Sequence, residues 1–211
     1  MKKLAFGSCL ILLAAASLPA QEYSHFSFGA GAGFTNPLGT VGQKLDLGWN
    51  VRGGAGYNFS PYVGAMIDVG YDSMGINSAT LSNIGVPGGR MSILAATFDP
   101  IVHLSPKRHF DLYVTGGGGI YHRYQEFTAP SVAVVTGFDP FFGFYNVGVP
   151  ANQVLASYSV NKPGVDIGMG VAFGNKWHGK FFAEARYNRI FMGNHIGGDT
   201  EYLPVTFGFR W

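Results

Sequence analysis

The residues of this chain that could do chemistry fall into two groups. The first is a repeated His-x-Ser spacing, His103 with Ser105 and His25 with Ser27. On an extended chain, residues two apart share a face, so each imidazole could serve as base to its own hydroxyl, which is how a serine nucleophile is activated. No acid is evident beside either pair to orient the ring, Ser105 runs straight into Pro106, and a His two places from a Ser is common by chance. Hydrolysis is therefore not expected, and no catalytic residue is assigned. The second group is Arg52, Asp68, Asp166, Glu184 and Arg186, charges of both signs on the polar side of alternating segments. Charges enclosed together must pair. The expectation is a structural ion-pair network, with the gate or selectivity lining of a narrow pore as the second reading. The histidines are scattered without the close pairing of a metal site, so neither metal nor cofactor is expected.

The elements that would have to position these charges are clearest at the carboxyl terminus. In residues 201–211, Leu203, Val205, Phe207, Phe209 and Trp211 alternate with Pro204, Thr206, Gly208 and Arg210. A period of two is usable only by a strand, one face oily and the other not. Similar alternation runs through residues 25–34, 45–59, 62–72, 90–104 and 110–124, then from Val165 to Phe173 and from Phe181 onward. In 45–59 the oily set begins at Leu45 and Leu47 and includes Trp49, Val51 and Tyr57. The fourth segment places Leu94, Phe98, Pro100 and Val102 outward, and Pro100, which cannot donate to a ladder, implies a bulge or break there. Connections alternate between short turns, at 60–61, 105–109 and 174–180, and long loops after Phe34, Asp72, Tyr124 and Phe191.

The longest irregular stretch, 125–162, carries Pro130, Pro140, Pro150 and the cluster FDPFFGFYN, with strand-like patches at 131–135 and 154–160. It reads as a long loop whose base extends its neighbours, with an extra hairpin and ten strands as the alternative. Its aromatic residues Phe138, Phe141, Phe142, Phe144 and Tyr145 could meet a partner surface or fold over as a lid, and the lid is preferred because exposed oily loops are a liability.

Composition excludes several classes. Charged residues make up 12% of the chain, about half the ~25% of globular proteins, while 32 glycines are about twice the usual share. Residues 1–20 place Lys2 and Lys3 before an apolar run ending at Leu18, Pro19 and Ala20, which reads as a secretory signal peptide cleaved after Ala20. Two of the 14 basic residues belong to that leader, so the remainder balances the 12 acidic ones and offers nothing for nucleic acid. The single cysteine, Cys9, lies in the leader, so residues 21–211 hold no disulfide.

The whole of 21–211 resembles the small outer-membrane β-barrel proteins of the OmpA, OmpX and OmpW type, most specifically in FFAEARYNRI and TFGFRW. The resemblance implies an all-β, eight-stranded antiparallel up-and-down transmembrane barrel without a peptidoglycan-binding domain, sited in the bacterial outer membrane after loss of the leader. It further implies that the alternating end with Phe207, Phe209 and Trp211 is the signal read by the assembly machinery. A soluble lipocalin-like barrel is the competing fold, but the non-oily face here is largely glycine and too poor in charge to solvate a surface. Aromatic residues gather toward both strand ends, Tyr57, Phe59, Tyr62, Phe110, Trp177, Phe209 and Trp211 at the short turns and Phe34, Trp49, Tyr71, Tyr187 and Tyr202 opposite, as two headgroup girdles require.

In the barrel register the five charges face the lumen, as do glycines at 29, 31, 33, 54, 56, 64, 168 and 170, which leave room for water and a narrow leak. Some barrels of this kind deacylate lipid with His, Ser and Glu, the least favoured reading for this sequence. The expected role is structural or surface-interacting, with a small-solute channel second, lipid as the surrounding partner and a monomer as the state.

Overall fold

The computed structural model describes residues 25–106, 109–175, 179–193 and 198–211. The expected leader at 1–20 with Cys9, and Trp177, lie outside them. Eight antiparallel strands close into a barrel in chain order: β1 (Phe26–Leu38), β2 (Gly48–Asn58), β3 (Val63–Gly75), β4 (Gly88–His103), β5 (Phe110–Asp139), β6 (Gly143–Asn175), β7 (Gly179–Ile190) and β8 (Thr200–Arg210). The seam is the β1–β8 ladder, from Gly29 opposite Arg210 to Leu38 opposite Glu201. Closure removes the free edges that a sheet of this length would otherwise expose.

Alternation does what its period demands. In β6, Val165, Ile167, Met169 and Phe173 point out and are exposed, while Gly164, Asp166, Gly168, Gly170 and Ala172 are buried inside. In β7, Phe182, Glu184, Arg186, Asn188 and Ile190 are buried and Phe181 is exposed. The outward residues of β4 are Leu94, Phe98, Pro100 and Val102. Pro100 still sits opposite Ala65 of β3, but the β5 ladder skips Asp99 and Pro100 and resumes at Ile101 opposite Thr115 in the same register. The missing N–H therefore makes a break and no bulge.

Several expectations need correction. Leu45 is not part of β2. It is buried and meets Ile76 in an isolated bridge, because a one-turn helix α1 (Gly39–Gly42) turns the chain back over the barrel mouth and brings Val41 in with it. The loop after β3 contains a second helix, α2 (Ser78–Ile84). Asn77 caps it by accepting from the Thr80 N–H at 2.8 Å, and Gly85 ends it at φ +69°, the left-handed value that suits glycine. Tyr202 belongs to no girdle: its ring is fully buried inside the barrel.

The ten-strand alternative falls away as well. Residues 125–162 are neither irregular nor an added hairpin but the continuation of β5 and β6, paired from Gln125 opposite Tyr158 to Asp139 opposite Gly143. One bulge at Phe127/Thr128 interrupts the register, with Leu155 the extra residue. β4 accompanies β5 only as far as Thr128, and β7 joins β6 only from Gly164. Past Thr128, a two-stranded ribbon of residues 129–153 projects alone.

Candidate functional site

The lumen is filled in layers. Beneath the outer mouth, Val41, Leu45, Met74, Met91, Ile93 and Tyr202, with five other buried side chains, form an apolar cap against which Leu81 of α2 and Phe127 pack. Near the short-turn end, Met66, Ile101, Tyr113, Ala172 and Phe182 form a second apolar layer. The charges lie in the lumen with these layers.

Arg186 is the hub of the charges. Its Nη1 donates to Asp99 Oδ2 at 2.6 Å and to Asp166 Oδ1 at 3.4 Å. Its Nη2 and Nε both donate to Glu184 Oε1, at 2.7 and 3.0 Å, and Asp68 lies 3.7 Å from Nη2. Only 2% of the side chain is exposed. Arg52 approaches Asp68 at 3.5 Å. All five lumenal charges expected from the sequence are thus brought together. Two that were missed join them: Asp99, whose place beside the ladder break obscured its inward alternation with Thr97 and Ile101, and Arg210, 4.0 Å from Glu184. Arg210 also stacks its guanidinium over Tyr113 at 4.5 Å from the ring centre.

Neutral partners complete the set. Tyr113 donates to Glu184 Oε2 at 2.9 Å, Tyr121 to Asp166 Oδ2 at 3.3 Å, and Thr97 to Asp99 Oδ2 at 2.8 Å. A fully buried Asp72 accepts from Thr35, and Asn50 ties β1, β2 and β8 by donating to Phe34 O and accepting from Thr206. At the outer rim Arg189 bonds Asp199, and that bond holds the partly exposed carboxyl below its ordinary pKa.

At several lumenal glycines a neighbouring side chain takes the space that the missing side chain leaves. A Cβ on Gly168 would lie 3.1 Å from Arg186 Cγ, one on Gly164 2.7 Å from the Tyr121 ring, and one on Gly208 2.7 Å from Phe182. The Tyr113 ring likewise fills the space that Gly170 vacates. Large side chains facing these glycines pack into the lumen as layers of a core do. The cavity beside Arg52, Asp68, Glu184 and Arg210 is about 10 Å³, the size of a single water.

The His103 pair also differs from expectation, since an acid does stand beside it: His103 Nδ1 and Asp111 Oδ2 are 2.7 Å apart across the β4–β5 turn, and Lys180 lies 3.9 Å from the same oxygen. Among the described residues no hydroxyl is hydrogen-bonded to that ring. His25 Nδ1 instead meets Asn58 O at 3.2 Å, and its ring stacks on Tyr57. The aromatic cluster is no lid either. Phe141 and Phe142 are 90% and 88% exposed at the apex of the ribbon. Rings this exposed pack against no part of the mouth.

The distribution of polarity is the reverse of a soluble barrel. Ions and hydroxyls occupy the hollow, while Ile67, Phe98, Ile120, Ile167 and Phe181 stand exposed around the wall. Aromatic side chains collect at one rim as Tyr57, Phe59, Tyr62 and Trp211 and at the other as Phe34 and Trp49, the latter tilted against Tyr71 with ring centres 5.4 Å apart. That inversion defines an integral β-barrel of the bacterial outer membrane, which crosses the bilayer on its strands and touches lipid with its apolar face.

The chain belongs to the outer membrane protein beta-barrel domain family, whose model matches residues 7–210. Its fold is similar to that of Neisserial surface protein A, at 15% identity and TM-score 0.57, over 89% of this chain and 96% of that one. It is also similar to Ail, the attachment invasion locus protein of Yersinia pestis, solved in complex with the heparin analogue sucrose octasulfate, at 17% identity and TM-score 0.50, over 88% and 97%. No curated protein matches the chain.

Proposed function

We propose that this protein works from the outside of its barrel: the barrel is an anchor, and the β5–β6 ribbon is the element that meets a partner at the cell surface. The observation that carries this reading is the ribbon itself, 129–153, which leaves the barrel and spends its apolar residues on solvent. Large exposed apolar patches mark interaction sites. The packed lumen supports a plugged barrel over a narrow channel, and it supports a structural role for Arg52, Asp68, Asp166, Glu184 and Arg186. The family resemblance supports a leader at 1–20, recognition of Phe207, Phe209 and Trp211 by the assembly machinery, and a monomer held in lipid. Phe207 and Trp211 are outward and exposed.

The sulfated ligand with which Ail was solved would call for a cationic contact surface on this chain. This ribbon has none, since Asp139 is the sole charge between Phe127 and Asn161. Replacing residues 130–152 by Asn-Gly, a two-residue hairpin turn, should leave a barrel that still folds and inserts, because among the described residues no strand beyond the ribbon pairs with it. Bacteria expressing the shortened chain are expected to lose attachment to cultured cells and to one another. Undiminished attachment would remove the ribbon from the function.

A further inference from the structure

We propose that the tip of the β5–β6 ribbon inserts into a second lipid bilayer that faces the outer membrane. The proposal rests on the ribbon being the contact element, and it names the partner as a lipid surface. Three observations favour lipid.

The first is charge. Asp139 is the only ionisable carboxyl or basic group from 127 to 161, and its Oδ1 accepts the N–H groups of Phe141 at 2.8 Å and Phe142 at 3.0 Å. The carboxylate is spent on holding the turn, which Gly143 closes at φ +80°. The turn thereby presents two adjacent phenyl rings, with Phe138 and Phe144 paired 5.0 Å apart behind them. A rigid aromatic apex pays little entropy on burial.

The second is shape. Val132, Val134 and Phe138 alternate along β5, while Val135 points the other way and is also exposed. A protein surface covers one face of a ribbon, whereas a bilayer surrounds its tip. The third is zoning. The barrel's own lipid belt ends at a polar collar: the His122–Asn161 pair, the Arg90–Glu126 pair and the Arg189–Asp199 pair. Beyond this headgroup-like ring the chain turns apolar again, so one molecule carries two oily zones with a polar zone between. Insertion is confined to the tip, because the unpaired backbone edges of 129–139 and 143–153 cannot enter hydrocarbon without losing their water.

The test uses the full chain in nanodiscs, mixed with phosphatidylcholine vesicles and floated on a density gradient. Wild-type discs are expected to float with the vesicles, equally at low and high salt. The Phe141→Asp/Phe142→Asp variant should reduce the floated fraction by roughly tenfold or more, given the transfer energy of each ring, while Ser131→Asp on the stem should not. In Phe141→Trp, brominated lipid in the vesicles should quench the added fluorescence. Retention of the folded gel band in every variant shows that the barrel is intact. Failure of wild type to float, flotation unaffected by the tip variant, or flotation abolished by salt would each overturn the proposal. If vesicles stay unbound yet deletion of 130–152 still abolishes cell attachment, the ribbon remains the contact element and its partner is a protein.

Discussion

Arg186→Met is expected to destabilise the folded barrel by about 3–5 kcal/mol, the usual cost of removing one side of a buried ionic cluster. The guanidinium reaches Asp68, Asp99, Asp166 and Glu184, and with it gone these carboxylates face one another across the lumen with Arg52 and Arg210 as the remaining cations. The added hydrophobic volume of methionine offsets little, because the loss lies in uncompensated charge. Removing Glu184 alone by Glu184→Ala should be milder, since Asp99 still holds the guanidinium at 2.6 Å. The readout is the temperature at which the compact band of the detergent-solubilised protein disappears on a gel. Combining Arg186→Met with Asp99→Asn should recover part of the loss, as coupled neighbours do. An unchanged midpoint for Arg186→Met would show that the ions contribute nothing to holding the barrel.

Gly33→Val should prevent closure outright. Gly33 lies opposite Asn50 on one side and Thr206 on the other, where β1 meets both β2 and the last strand. Its Cβ would fall on the carbonyl of Val205, with the Thr206 backbone also within 3.0 Å. Overpacking an ordinary core costs about 1–3 kcal/mol, but here the obstacle is backbone and cannot rotate aside. No compact band is expected. Gly53→Val is the control: its Cβ meets nothing closer than the Gly29 carbonyl at 3.7 Å, so that variant should fold normally. A folded Gly33→Val protein would mean that the β1–β8 ladder is not held in this register.

The barrel was legible because period two survives even in a glycine-rich chain. Val165 to Phe173 and Phe181 to Tyr187 announce which face meets lipid, and the inward charges follow from the same register. What was not legible depends on closure. Asp99 looked like part of a broken strand until pairing with β3 kept it inward beside Arg186. Leu45 continued the β2 pattern on paper, yet a helical turn upstream draws it beneath the mouth. Tyr202 fitted a girdle by its place near a strand end and failed by its parity.

Residues 125–162 were the largest miss, and prolines explain it. Pro130 and Pro150 argue against strands in a sheet interior, but here they fall in a two-stranded ribbon whose outer edges carry no further ladder among the described residues. The lid was preferred on the ground that greasy loops avoid water. That rule loses force when regular pairing stiffens the segment and carries its tip away from the barrel.

The central claim is that the lumen is a second core and that the protein acts through what it holds outside. Planar-bilayer recording of the purified full chain tests this most directly. A silent membrane at every applied voltage is expected, because Arg186, Tyr113, Tyr121 and the apolar cap occupy the bore. Discrete, reproducible conductance steps from the folded protein would mean that ions find a path through these layers, and the account of a plugged anchor would be wrong.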